Sequence, residues 1–221
     1  MKYQPARQKS MEEFELPIQP GILKTNELIT LPNLLLIAGT GRKVGKTTLA
    51  CRLIRQCSEV RKTAAIKISP HLHKQEPGQQ VMVENADFAI IRETNPHSGK
   101  DSSRMLSAGA DMAFYIQTND KNLKKPLSIL LDYIPGGYPI ICESGALLHF
   151  ARPGLFLLVK RKNEMSVKKG AGDLGYPPDS WLTFDGDGFE PKPEHFWFDG
   201  ANWQIVRSEE RRVGKECRSR W

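Results

Sequence analysis

The run Gly39-Thr40-Gly41-Arg42-Lys43-Val44-Gly45-Lys46-Thr47-Thr48 gathers the residue types that bind phosphate. Glycines let backbone N–H groups turn inward around an anion, and a helix starting at the end of such a loop adds the positive end of its dipole. Lys46 is a point charge able to reach β- and γ-phosphate oxygens, and the Thr47 hydroxyl is a hard oxygen suited to Mg²⁺. The strict pattern G-x-x-x-x-G-K-[ST] would have glycine at position 40, where Thr40 stands; counted from Gly39, the spacing is one residue longer. An ordinary glycine-rich strand-to-helix turn with an incidental lysine is the alternative. The aliphatic run Leu34–Ala38 before the loop and the helical spacing of Leu49, Ala50, Leu53, Ile54 and Cys57 after it favour nucleotide binding.

A second group of residues could complete such a site. Glu143 ends the aliphatic run Ile140-Ile141-Cys142, where a carboxylate can hold Mg²⁺-bound water or orient an attacking one. A buried, uncompensated carboxylate is costly, so this setting favours function over a solvent-facing strand end. Lys46 and Glu143 are thus the candidate catalytic residues, and Thr47 and Glu143 the candidate metal ligands. Lys67, inside an apolar strand, either snorkels or points into the crevice as an anion contact, and the crevice is preferred. His71 and His73 follow that strand two residues apart; with no third ligand spaced to them, contact with a second ligand is favoured over zinc. Gly99, Lys100, Asp101 and Ser102 place donors and one acid at a helix start, as second-ligand contacts or as an ordinary N-cap.

The elements that must position these groups alternate. Thr63–Ser69 reads as a second buried strand, followed by a loop rich in Gln, Pro and Gly. Phe88–Glu93 is a further strand. Asp101 caps a short helix through Ser107, and Met112–Gln117 is a strand. Leu123–Ile134 has helical spacing, and Pro139–Gly145 and Gly154–Val159 are strands. This alternation predicts a mostly parallel, doubly covered sheet. Beyond Lys160 come a basic Gly-rich loop, the strand candidate Trp181–Phe184 and a hairpin, Phe196–Val206, turning at Asp199-Gly200. Prolines at 17, 20 and 32 break up the first 33 residues, so the first strand is expected to begin after Pro32.

The chain has 221 residues, 39% of them hydrophobic and 26% charged, which suits one ordinary globular core. No apolar run approaches the ~20 residues of a membrane span, and the polar start lacks a signal-like segment; a cytoplasmic protein is expected. The four cysteines show no metal-ligand spacing. The net charge of +7 is inflated by Arg207–Trp221, which resembles a translated sequencing adaptor. Without its six basic and three acidic residues, 26 basic groups stand against 22 acidic, a net of +4. No nucleic-acid or membrane partner is therefore expected.

Taken together, these residues resemble the molybdopterin-guanine dinucleotide biosynthesis adaptors, the MobB-type P-loop GTP-binding proteins. The resemblance lies in Gly45-Lys46-Thr47-Thr48-Leu49, in Ile66-Lys67 with the nearby His71 and His73, in Gly99-Lys100-Asp101-Ser102 with Ala108-Gly109-Ala110, and in Glu143-Ser144-Gly145. All four occur in order between residue 34 and about residue 160. In this chain Ile68 follows Lys67 where the family has histidine, and Ser144 interrupts the Glu-Gly pair. The loop from Gly39 to Thr47 is also similar to that of dethiobiotin synthetases, in which a lysine ending the second strand contacts substrate.

These resemblances imply an α/β P-loop NTPase fold, a three-layer α/β/α arrangement with a mostly parallel sheet and a small C-terminal β addition. The expected division is an extension over 1–33, the nucleotide-binding domain over 34–160, the C-terminal loop and β addition over 161–206, and the adaptor-like tail over 207–221. The expected ligands are Mg²⁺ and GTP or ATP, with a cofactor-biosynthesis protein as partner and a homodimer as assembly. Slow hydrolysis is expected, since no arginine finger stands out and Arg42 is the nearest candidate. A dethiobiotin-synthetase-like ligase or kinase acting on a small acidic substrate, and a nucleotide sensor without turnover, are the alternatives. Thr118-Asn119-Asp120-Lys121 reads as a loop rather than a guanine-specific box.

Overall fold

The computed structural model describes residues 28–70, 79–119, 121–163 and 176–206. In chain order the elements are β1 (Ile29–Gly39), α1 (Lys46–Ser58), β2 (Ala64–Ser69), β3 (Gln79–Glu84), β4 (Phe88–Glu93), α2 (Asp101–Ser107) and β5 (Met112–Thr118). They continue with α3 (Lys124–Leu131), β6 (Ile140–Glu143), β7 (Ala151–Arg161), β8 (Ser180–Phe184), β9 (Phe189–Glu190), β10 (Phe196–Phe198) and β11 (Trp203–Ile205). Nine strands form one sheet in the order β3-β4-β5-β2-β6-β1-β7-β8-β9. The six from β5 to β8 pair in parallel.

Both faces of this sheet are covered, and the strand period of two decides which residue goes where. On β1, Leu35 and Ile37 join the core under α1 and α2, while Leu34, Leu36 and Ala38 join the core under α3. A strand buried on both faces reads as a continuous apolar run, as Leu34–Ala38 does. Helix α1 buries Leu49, Ala50, Leu53, Ile54 and Cys57 along one stripe. The hairpin β10–β11 packs Phe196, Phe198 and Trp203 against the same core. The result is an α/β fold with a mostly parallel central sheet and helices on both sides.

The crossover from β1 through α1 to β2 skips a place in the sheet, and β6 fills it. The registers pair Glu143 with Ile37 of β1 and with Lys67 of β2. The carboxyl end of β6 therefore lies between the glycine loop and Lys67.

Several sequence expectations need correction. Strand β1 begins at Ile29 and carries Pro32 inside it. Its pairing with β7 shifts between Leu31 and Leu35, which accommodates the missing proline donor. Gly154 faces this irregularity, and a Cβ there would lie 1.9 Å from the Pro32 carbonyl oxygen. The polar segment after β2 holds a strand, β3, at Gln79–Glu84. At one edge β4 pairs antiparallel with β5 and β3 antiparallel with β4, and at the other β9 pairs antiparallel with β8. Helix α3 stops at Leu131, short of Ile134. Lys100, not Asp101, is the N-cap of α2; Asp101 is its first helical residue, and its carboxylate is used elsewhere. Strand β8 extends the main sheet, so the separate β addition is the β10–β11 hairpin alone. Among the described residues no helix is long and apolar enough to cross a membrane.

Candidate functional site

At the carboxyl ends of β1, β6 and β2 lies an open cavity of about 470 Å³, lined by Arg42, Lys43, Gly45–Thr48, Lys67, Asp101, Arg104, Glu143 and Phe184. Its five basic and two acidic side chains leave an excess of positive charge.

The glycine loop is held by its own geometry. Thr40 is buried; its N–H donates to Val159 O at 3.0 Å and its hydroxyl approaches the same oxygen at 3.5 Å, fixing the loop to β7. A Cβ on Gly39 would meet Val44 Cγ2 at 2.7 Å and Lys46 Cδ at 2.9 Å, so the loop can double back only over a glycine. Val44 is buried as the loop's apolar anchor. Lys43 and Gly45 both take left-handed backbone, at φ 58° and 99°. The ring of Phe184 lies against Gly45, 2.7 Å from where a Cβ would stand. Arg42 and Lys43 are exposed. Lys46 donates to Gly41 O at 2.7 Å. Helix α1 starts with no side-chain cap and no acid in its first turn, which leaves its leading N–H groups suited to an anion.

Beside the loop, four side chains close a ring of polar contacts. Lys67 Nζ donates to Glu143 Oε1 at 2.6 Å and to Asp101 Oδ2 at 2.8 Å. The other oxygen of each carboxylate faces the Thr47 hydroxyl, Glu143 Oε2 at 2.7 Å and Asp101 Oδ1 at 3.1 Å. Arg104 stands 3.9 Å from Asp101, one helical turn along α2. Burial works to lower the Lys67 pKa, but the two carboxylates outweigh it and hold it above its ordinary value. Burial likewise works to raise Asp101; its hydrogen bond and charge contact with Lys67, then Thr47 and Arg104, hold it below the usual carboxylate range.

The Thr47 hydroxyl faces more acceptor oxygens than it has protons. A hydroxyl has one proton, so Thr47 can donate to only one of the two carboxylate oxygens that approach it. Three hard oxygens thus converge where one hydrogen bond can form, and two carboxylates share Lys67, with Arg104 as a longer contact of Asp101. Such oxygens suit Mg²⁺, which takes one or two carboxylates and leaves its remaining positions to water and phosphate. Thr47, Glu143 and Asp101 are the residues that would hold it. Among the described residues no group of three or more His, Cys, Asp or Glu side chains is placed to hold a metal ion.

The remaining sequence candidates separate. His71 and His73 lie outside the described residues. Gly99 is exposed at φ 77°, and neither it nor Lys100 lines the cavity. The Ser102 hydroxyl turns inward, donating to the buried Glu93 at 2.9 Å. Ser144, the residue between Glu143 and Gly145, accepts from the N–H groups of Ala146 and Leu147 and so starts the short helical turn after β6. Burial pushes the Cys51, Cys57 and Cys142 thiols up, away from the reactive thiolate.

Sequence reasoning missed Arg104 and Phe184. Arg104 had a faint signal, since a residue three after Asp101 shares its helix face. Phe184 had none, because its contact with Gly45 is made across β7 and β8. Comparisons with protein-family models, curated proteins and solved structures find no match for this chain.

Proposed function

We propose that this chain is a P-loop nucleoside-triphosphate-binding protein that takes its nucleotide with Mg²⁺ and hydrolyses it slowly. One observation carries the reading: the Thr47 hydroxyl, directly after Lys46 at the end of the glycine loop, faces carboxylate oxygens of both Glu143 and Asp101. A plain strand-to-helix turn has no need of two acids on that hydroxyl, whereas a triphosphate site with a metal does. The uncapped start of α1, with Arg42, Lys43 and Lys46 around it, would bind the phosphates. Thr47, Glu143 and Asp101 would hold Mg²⁺, which when bound neutralises charge on the phosphate oxygens. Glu143 would also orient water, and Arg104 would add charge from the far wall.

Beyond nucleotide binding, the reading rests on the resemblance: a MobB-like, GTP-binding adaptor that works with a protein of cofactor biosynthesis. A ligase or kinase resembling dethiobiotin synthetase is favoured by a separate observation, that Lys67 and Arg104 line the cavity beside the phosphate wall and could face an acidic substrate. Calorimetry on the full chain with GTP and ATP, with and without Mg²⁺, separates the two. GTP preference supports the adaptor; ATP preference, with turnover only on adding a small acid, supports the ligase or kinase. If neither nucleotide binds, or if Lys46→Ala binds as well as the parent, the proposal falls.

A further inference from the structure

Glu93 ends β4 outside the cavity and is almost wholly buried. Among the described residues no cation faces it. Its carboxylate is satisfied by neutral donors instead: Oε1 accepts the Asn95 N–H at 3.1 Å, while Oε2 accepts the Ser102 hydroxyl at 2.9 Å and a longer contact of 3.4 Å from the Gln79 amide. Burying a carboxylate without a counter-charge is expensive, and a neutral residue could fill the same space. The placement of its partners gives a reason for keeping it. Asn95 lies near the start of the connection between β4 and α2, and Ser102 lies just past its end. One carboxylate thus ties both ends of that connection to the sheet.

The tie bears on the site because Ser102 is the neighbour of Asp101. With Ser102 drawn down onto Glu93, the first turn of α2 is fixed over the sheet, and Asp101 is presented to Lys67 and Thr47. The Ser98 N–H, donating to the buried Ser103 hydroxyl at 3.0 Å, folds the same connection back onto the helix. We infer that Glu93 is a positioning residue that, through Ser102, sets Asp101 at the metal-binding end of the nucleotide site. This inference rests on the Mg²⁺-nucleotide reading above.

The test compares Glu93→Ala, Glu93→Gln and Ser102→Ala in the full chain. The quantity read is the Mg²⁺ concentration giving half-maximal enhancement of nucleotide binding, alongside binding in EDTA. Residues that orient metal ligands from behind typically cost 10–100-fold in metal affinity when removed, so Glu93→Ala is expected to raise that concentration about 10-fold, and Ser102→Ala by several-fold, about three or more. Glutamine can still accept from Asn95 while its amide donates to a reversed Ser102 hydroxyl, so Glu93→Gln should stay within about twofold of the parent. Binding in EDTA should be the same in all four proteins. A residue that only supports the fold would lower the melting temperature and leave the Mg²⁺ midpoint where it was. A folded Glu93→Ala or Ser102→Ala protein with an unchanged midpoint overturns the inference alone. A parent protein whose nucleotide binding ignores Mg²⁺ removes the metal reading, and this role with it.

Discussion

The two halves of the cavity are built on opposite principles. On one side Thr47, Lys67, Asp101 and Glu143 contact each other in a closed ring, with Glu143 almost fully buried and Lys67 largely so. On the other, Arg42 and Lys43 stand out in solvent on a glycine loop and make no ion pair with a described carboxylate. The ring is fixed by sheet register, because Glu143 is the lateral neighbour of both Ile37 and Lys67. The loop is shaped by local backbone at Gly39, Lys43 and Gly45 and tied to β7 at one point, through Thr40. Charge held by register is coupled to folding, while the charges of Arg42 and Lys43 lie in solvent. Mutations should therefore act on stability as well as binding in the first half and on binding alone in the second.

The largest effect on stability is expected from Glu143→Ala. It leaves the Lys67 ammonium partly buried with one carboxylate instead of two, and breaking a buried pair from one side costs about 3 kcal/mol. Urea denaturation of the full chain measures it. Replacing both partners, as Lys67→Met with Glu143→Leu, should recover most of that loss, to within about 1 kcal/mol of the parent, since apolar groups of similar volume often substitute for a buried ion pair. Metal-dependent binding should not return. If Glu143→Ala costs no more than a surface substitution, the ring is not the structural half of the site.

Gly45→Ala comes next and probes the loop's own rigidity. A left-handed residue with a Cβ costs about 1–2 kcal/mol, and here the Cβ would also press on Phe184. These two contributions separate in a double-mutant cycle with Phe184→Ala. Removing the ring should relieve the overlap but not the backbone strain, giving a coupling of about 1 kcal/mol. A coupling near zero would mean that Phe184 merely sits beside the loop.

This division also explains what could be read from the sequence. The central strands were legible because burial on both faces gives uninterrupted aliphatic runs such as Leu34–Ala38 and Ile140–Cys142. Strand β3 was not: it is a bulged edge strand that comes just after Pro77-Gly78, opens on two glutamines and is only partly buried. Lys46 and Thr47 announce themselves by local spacing, and Glu143 and Lys67 by being charged in apolar strands. That Lys67 and Glu143 touch depends on β6 entering between β1 and β2, a choice no local pattern encodes. Ser102 was misplaced for a similar reason. Whether a hydroxyl in the first turn of a helix faces the cavity or the sheet depends on the rotation of α2, and here Ser102 turns to Glu93 at the end of β4.

A smaller effect should appear in the pH dependence of the ring. Asp101 has a lowered folded-state pKa, so between that value and the unfolded value of about 3.9 the unfolded chain binds more protons. Stability from this group is therefore present above about pH 4 and is lost as the pH falls through the folded value. Lys67 is shifted the other way: its contribution is full below about pH 10.4 and is lost as the pH rises through its raised folded value. Asp101 is more than a third exposed, and water screens its contacts, so its acid limb should be shallow. Denaturation of the parent and Asp101→Asn across the acid range should show the shallower dependence in the variant; equal slopes would place the titration elsewhere.

The smallest effect on stability is expected at Arg42, where the contrast between the halves is tested most directly. Its side chain is exposed, so Arg42→Ala should change the unfolding free energy by no more than about 0.5 kcal/mol, as surface substitutions commonly do. Its position on the cavity wall beside the glycine loop should instead be felt by a polyanion. Triphosphate binding should weaken and become less sensitive to salt, because a solvent-exposed cation acts through a field that ions screen within about 10 Å at 0.1 M. Diphosphate binding should suffer less if Arg42 reaches the terminal phosphate, and equally if it only adds to the general field. A variant that loses stability and binding together would show that the loop, too, is held by its charges, and the two halves of the cavity would then be one structural unit.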